Sequence, residues 1–200
     1  MNTEELNELA IEIHELAKEK GWWDQERTRG EIYALIHSEI SEAVEEGRYD
    51  AEPIYGYDVS RNESLIASDG NFKRMFELQP TLEPHGELIE LADVVILCLD
   101  WMAHLDIDIM GEYGVYSTIG RYFSDVKNWD TIDVYGQIHW FISHSFHMHH
   151  RRGDILIIEV VMYIDYMCQV RGWNLWEAVR IKHEYNKTRP HRHVGGRNID

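Results

Sequence analysis

Residues 86–104 read GELIELADVVILCLDWMAH, and the reading of this stretch decides the fold. Its apolar residues recur at helical spacing, which predicts a helix over residues 87–104. At roughly 100° per residue, Glu87, Glu90, Asp93, Asp100 and His104 form one polar stripe, broken by Leu97, on a helix that is largely apolar elsewhere. Glu90 and Asp93 therefore stand at the head of a run fit for a protein core.

The same periodicity predicts helices over residues 3–20, 30–47, 112–127, 133–151, 154–171 and 174–187. Clean strand alternation is missing, so the expected class is all-α. Between the second and third helices, residues 49–86 hold three of the four prolines and exceed an ordinary helix connection. This stretch reads as an insertion or as a lid without regular structure of its own. A length of 200 residues fits one domain or two small fused ones.

Composition narrows the function. A formal charge of −17 argues against nucleic acid as a partner, because phosphate neutralisation needs clustered Lys and Arg that are scarce before the C-terminal tail. A small anion that arrives with its own metal ion remains compatible. No apolar run approaches the roughly 18 residues of a membrane span, and the first 20 residues form an amphipathic acidic helix rather than a signal peptide. These features predict a cytoplasmic protein with no membrane partner. Cys98 and Cys168 fall within apolar helical runs, as small hydrophobes rather than zinc ligands.

Laid on itself with an offset of 106 residues, GWWDQERTRGEIYALIHSEISEAVEEG falls without gaps on KNWDTIDVYGQIHWFISHSFHMHHRRG. Ile13, Trp23, Asp24, Gly30, Ile32, Ile36 and Gly47 match Ile119, Trp129, Asp130, Gly136, Ile138, Ile142 and Gly153. An offset of 66 then lays DVVILCLDWMAHLDIDI on EVVMYIDYMCQVRGWNL, as deletion of the long connection from a second copy would produce. The pattern reads as an internal duplication, with halves at residues 1–111 and 112–200.

On the helix over residues 31–46, Ile32, Leu35, Ile36, Ile40 and Ala43 make an apolar stripe. Glu39 lies in its middle and Glu42 on its edge. An ionised carboxylate facing a core is costly unless compensated. If this face meets the polar stripe of residues 87–104, then Glu39, Glu42, Glu90 and Asp93 converge inside a bundle. Four such acids must be protonated in part or hold a cation. An all-oxygen set suits Mg2+, with Mn2+ as the second choice. A di-iron site calls for Glu-x-x-His pairs, and the chain has none.

Three blocks together, GWWDQERTRGEIYALIHSEISEAVEE, EPHGELIELADVVILCLDWMAHLDID and KHEYNKTRPHRHVGG, resemble the signature segments of MazG-like nucleotide pyrophosphohydrolases. That family pattern is ExxE followed by ExxD, matched here by Glu39-Ile40-Ser41-Glu42 and Glu90-Leu91-Ala92-Asp93. The resemblance implies an all-α bundle in which these four acids bind Mg2+ and a nucleoside triphosphate, a dNTP by preference, is hydrolysed to the monophosphate and pyrophosphate. Glu42, or Glu46 as an outer neighbour, would serve as base. It also implies substrate contacts from Asn186, Lys187 and Arg189, which otherwise read as a solvated helix end whose basic residues suit the dipole. Two features depart from the family: the acidic motifs are further apart than usual, and Glu83-Pro84-His85-Gly86 stands where Lys-Pro-x-Gly often precedes ExxD.

Trp23 is either a stacking partner for a base or a packing anchor between helices. The run from His139 through His144, His147, His149 and His150 is either a transition-metal site or a polar helix face. At the duplicated positions Ser145, Met148 and Arg152 replace Glu39, Glu42 and Glu46, while Leu156 replaces Glu90 and Glu159 alone keeps a carboxylate, opposite Asp93. The second half would then be a degenerate copy imitating the partner subunit of simpler dimeric relatives, with a homodimer of such pseudo-dimers open. Two other readings stay alongside: a dUTPase-type all-α nucleotide hydrolase, and a non-catalytic nucleotide-binding or assembly module.

Overall fold

The structure, a computed structural model, describes residues 3–48, 52–109, 131–148, 154 and 157–191. Seven helices occur among them: α1 (Thr3–Glu19), α2 (Arg29–Glu46), α3 (Phe72–Leu78), α4 (Glu87–His104), α5 (Thr131–His147), α6 (Ile157–Arg171) and α7 (Leu175–Thr188). The chain is thus mostly helical, with the expected boundaries met within a few residues. The helix expected over residues 112–127 lies outside the described residues. No helix among those described is long and apolar enough to cross a membrane.

α4 organises the molecule. Twelve of its 18 residues are buried, including Glu90 and Asp100. α1, α2, α6 and α7 all pack against it. α2 also packs on α5, and α5 on α6, which closes a single core running from Leu6 to Ile181. α2 begins with a capping box, in which the Thr28 side chain accepts from the Glu31 N–H and the Glu31 carboxylate accepts from the Thr28 N–H. That box sets where α2 starts; burial of its apolar stripe then turns Ile32, Ile36, Ile40 and Ala43 inward, and Glu39 is carried with them.

The expectation of an irregular connection over residues 49–86 is corrected by a three-stranded antiparallel sheet of order β2-β1-β3, formed by β1 (Tyr55–Asp58), β2 (Glu63–Leu65) and β3 (Glu83–His85). Tyr57 pairs with Ser64 on one side, and Gly56 with Pro84 on the other. Strands of three or four residues are too short for alternation to be read, and Pro84 is tolerated because β3 is an edge strand. The sheet is fastened to the helices: the Tyr55 hydroxyl donates to Glu46 at 3.3 Å, and the Tyr185 hydroxyl to Glu83 at 2.7 Å.

α4 starts without a side-chain cap, at Gly86 with φ +111°. Its Leu88 N–H is satisfied instead by the Pro53 carbonyl, at 3.0 Å. A Cβ on Gly86 would lie 2.5 Å from that same oxygen, so only glycine lets the segment leading into β1 approach the helix this closely.

Long-range polar bonds tie α2 and α4 to the chain beyond residue 130. Asp154, buried, accepts from Arg29 Nε at 2.6 Å, the Tyr33 hydroxyl at 3.3 Å and Trp101 Nε1 at 3.2 Å. Glu87 accepts from Arg171 Nη1 at 2.5 Å and from the Tyr135 hydroxyl. So bonded, neither carboxylate is left without a polar partner.

Candidate metal and nucleotide site

α2 and α4 pack so that Glu39, Glu42 and Glu90 each offer a carboxylate oxygen within 4.8 Å of the others. Among the described residues they are the one group of three acidic, histidine or cysteine side chains so arranged. Glu39 is half-buried, Glu42 exposed and Glu90 buried. The cluster is therefore open on one side and backed by protein on the other. Burial first, and then the charges of Asp93, Glu42 and Glu90, push the Glu39 carboxyl up to about 8, with Lys182 opposing. Burial likewise pushes Glu90 up to about 7, against the charge of Lys182 and helped by Asp93, Glu42 and Glu46. Without a cation, these carboxyls hold protons at a pH where exposed ones would be ionised.

Asp93 sits one turn further along α4 than Glu90, outside the tight group. Its Oδ2 receives Lys182 Nζ at 2.6 Å, with both side chains largely buried. Burial works against the Lys182 charge, but Asp93, Glu90 and Glu39 outweigh it and raise its affinity for the proton. The sequence reading missed Lys182, although the signal was present. At roughly 100° per residue, Lys182 falls between Leu175, Ala178, Val179 and Asn186 on the inward face of α7. A lysine there is as conspicuous as Glu39 within its own stripe.

The cluster borders a cavity of ≈480 Å³ between α1, α4 and α7. Ile13, Leu16, Ala17, Ile96 and Leu97 give it apolar walls, Glu39 and Asp93 stand at the acidic end, and Trp22, Lys20 and Arg189 also line it. Asn186 lines it too, and its Oδ1, shielded from solvent, has no hydrogen-bond partner among the described residues. α7 returns from the second half of the chain to pack on α4, which is how a C-terminal segment comes to stand opposite the acids of α2 and α4.

The expected substrate residues separate. Asn186 and Arg189 line the cavity. Lys187 lies roughly 140° around α7 from Lys182, exposed and paired with Glu184 at 2.6 Å. Trp23 is held by packing: its Nε1 donates to Asp100 at 3.1 Å, its ring stacks on His104 with centroids 3.9 Å apart, and Trp22 lines the cavity beside it. Asp100 also takes His14 Nδ1 at 2.6 Å, which accounts for the lower end of the polar stripe of α4. Glu46 stands at the end of α2 under the Tyr55 hydroxyl.

In the second half Ser145 is buried, Met148 and Glu159 are half-buried, and Arg152, Leu156, His149 and His150 lie outside the described residues. His139 meets His37 of α2, with Nδ1 atoms 2.8 Å apart, ring centres 5.1 Å apart and planes inclined by 13°. The centroid separation is about the N···N distance plus two ring radii, so the rings meet edge to edge in nearly one plane. This is one donated hydrogen bond, not two lone pairs converging on an ion.

Comparisons with protein-family models, with curated proteins and with solved structures give no match for this chain.

Proposed function

We propose that the protein is a MazG-like, Mg2+-dependent nucleoside triphosphate pyrophosphohydrolase acting on a nucleotide held in the α1/α4/α7 cavity. The carrying observation is the convergence of Glu39, Glu42 and Glu90 within 4.8 Å, with Glu39 and the neighbouring Asp93 lining that cavity. The donor set fits a hard divalent cation: it is all oxygen and anionic, and the nearby ammonium of Lys182 lies on Asp93 rather than on Glu39, Glu42 or Glu90. Glu39, Glu42 and Glu90 would hold Mg2+ or Mn2+, with the second oxygen of Asp93 available. Bound there, the metal supplies charge neutralisation on the phosphates and a more acidic water.

The chain's own groups then have distinct tasks. The apolar walls and Trp22 take the base and sugar, and exclude water from the reacting end. Arg189 and Lys20, at the cavity lining, offer positive charge to the phosphate chain. Glu42, the exposed member of the cluster, accepts the proton of the attacking water, with Glu46 behind it. The water oxygen bonds to the α-phosphorus, the bond from that phosphorus to the bridging oxygen breaks, and pyrophosphate leaves with the electron pair.

The arrangement of the halves supports the pseudo-dimer reading. Residues 37 and 143 are equivalent under the 106-residue offset, and Ser143 Oγ lies 3.3 Å from His37 Nε2. Equivalent positions touch each other only near a two-fold axis. Arg29 with Asp154 and Tyr135 with Glu87 are also exchanged by the two offsets to within one residue. On this reading α5 and α6 cover the catalytic half where simpler relatives place a second subunit.

A panel of nucleoside triphosphates assayed for pyrophosphate release, with and without Mg2+, tests the proposal. Metal-dependent release that Glu39→Gln abolishes is the expected result. No release from any nucleotide, or release indifferent to metal, would refute it.

A further inference from the structure

Lys182 raises a question that hydrolysis alone does not answer. A lysine head group with a largely buried stem is inside a cluster that, on the reading above, should receive a divalent cation. Lys182 Nζ is 2.6 Å from Asp93 Oδ2, and the remaining side-chain exposure of the two residues is 13% and 17%. Its charge is felt by Glu90 and Glu39 as well as by Asp93. The ammonium therefore serves the whole acidic group, and occupies space next to the one where a metal would sit.

Two cations cannot both be at ease there. Like charges a few ångströms apart in a partly desolvated site repel by far more than they do in water. A lysine differs from an arginine in having a compact charge on a flexible four-carbon stem with no fixed fork to hold it in place. It can therefore leave. Its partner Asp93 lines the cavity, as do Asn186, one turn further along α7 than Lys182, and Arg189 at the helix end. That is where phosphates would lie.

We propose that Lys182 is a built-in counter-cation for the metal-free cluster, which moves off Asp93 to the substrate phosphates when metal and nucleotide bind and so makes their binding cooperative. This rests on the metal and nucleotide reading of the site. Without nucleotide the lysine competes with the incoming ion and weakens its binding. With nucleotide present, a phosphate gives the ammonium another partner, which adds to the direct attraction between phosphate and ion and tightens the ion's binding further. Linkage requires the converse to the same degree: metal tightens nucleotide binding by the factor by which nucleotide tightens metal binding.

The test is calorimetric titration of the metal-free protein with Mn2+, with and without an α,β-imido nucleoside triphosphate. Three forms are compared: wild type, Lys182→Met and Lys182→Arg. The methionine variant keeps the apolar stem and removes the competitor, so it should bind Mn2+ about tenfold more tightly than wild type without nucleotide, and the analogue should tighten it by a smaller factor than in wild type. Arginine keeps the charge and should keep weak, nucleotide-sensitive binding. Unchanged or weaker Mn2+ binding by Lys182→Met overturns the inference.

A parallel measurement on wild-type protein needs no folded methionine variant. The side-chain 15Nζ resonance of Lys182, identified by its loss in Lys182→Arg, should shift on addition of Mg2+ and shift again with the analogue. A resonance indifferent to both overturns the proposal equally. Failure of the underlying site reading looks different, because Glu39→Gln would then bind Mn2+ as well as wild type does.

Discussion

Replacing Glu39 by glutamine isolates the electrostatic cost of the cluster. Glutamine has the same shape and no charge to desolvate. In the folded, metal-free protein the Glu39 carboxyl is pushed up to about 8, from an ordinary 4.5. The folded state therefore holds a proton that the unfolded chain gives up as pH rises through that window. The sign follows directly: stability is highest below about pH 4.5 and falls until about pH 8, by about 1.4 kcal/mol for each pH unit for a fully buried group. From pH 5 to pH 7 that amounts to about 3 kcal/mol, and half-burial of Glu39 reduces it to about 1–2 kcal/mol through solvent screening. Glu39→Gln should accordingly be more stable than wild type by about 1–2 kcal/mol at pH 7.5 in EDTA, and equal to it near pH 4.5. Saturating Mg2+ should stabilise wild type by mass action and leave the variant nearly unmoved, reversing the order of the two proteins. Urea unfolding followed by circular dichroism, in EDTA and in Mg2+, measures all of this. A variant less stable than wild type at pH 7.5 in EDTA, or one that gains as much from Mg2+, would refute the reasoning.

In a pyrophosphate-release assay Asp93→Asn should eliminate turnover, while Glu159→Gln, its counterpart on the proposed duplication, should leave the rate within a few-fold; equal losses would contradict the proposal of a single live centre. Ser145→Ala should be neutral or stabilise by about 1 kcal/mol in thermal unfolding, because the Ser145 Oγ is buried with no hydrogen-bond partner among the described residues. Gly86→Ala should cost more than about 3 kcal/mol, since its Cβ would meet Pro53 O at 2.5 Å and φ is +111°; denaturation near the wild-type midpoint would show that the sheet can retreat.

What could be read beforehand depended on how local its cause was. α4 was legible to its end residues because its polar stripe and its apolar faces are written within 18 positions. Glu39 was legible because a lone acid in an apolar stripe contradicts its neighbours. Lys182 obeys the same rule on α7, but it stands among other basic residues, Arg180, Lys187 and Arg189, and the exposed Lys187 looks the same in sequence while pairing with Glu184. The small sheet was illegible for a different reason: strands this short carry no measurable period, and their pairing depends on Gly56 and Pro84 meeting across a gap in the sequence. The Asp154 bonds were beyond reach as well. Nothing in the neighbourhood of residue 154 names Arg29, Tyr33 or Trp101 as its partners, because helix packing alone brings them together.

That packing has a consequence for synthesis on the ribosome. The bond from Arg29 to Asp154 spans 125 residues and that from Tyr33 spans 121. α2 leaves the exit tunnel early with an inward face for α4 and another face for α5. The first can be covered soon after residue 104 emerges, but the second stays exposed until α5 and Asp154 have been made. At roughly 5–20 residues per second, that delay is several seconds of nascent-chain exposure. A long separation between partners also slows their closure. The acidic surface of the first half, rich in Glu at α1 and α2, keeps emerging chains apart through mutual repulsion during that interval.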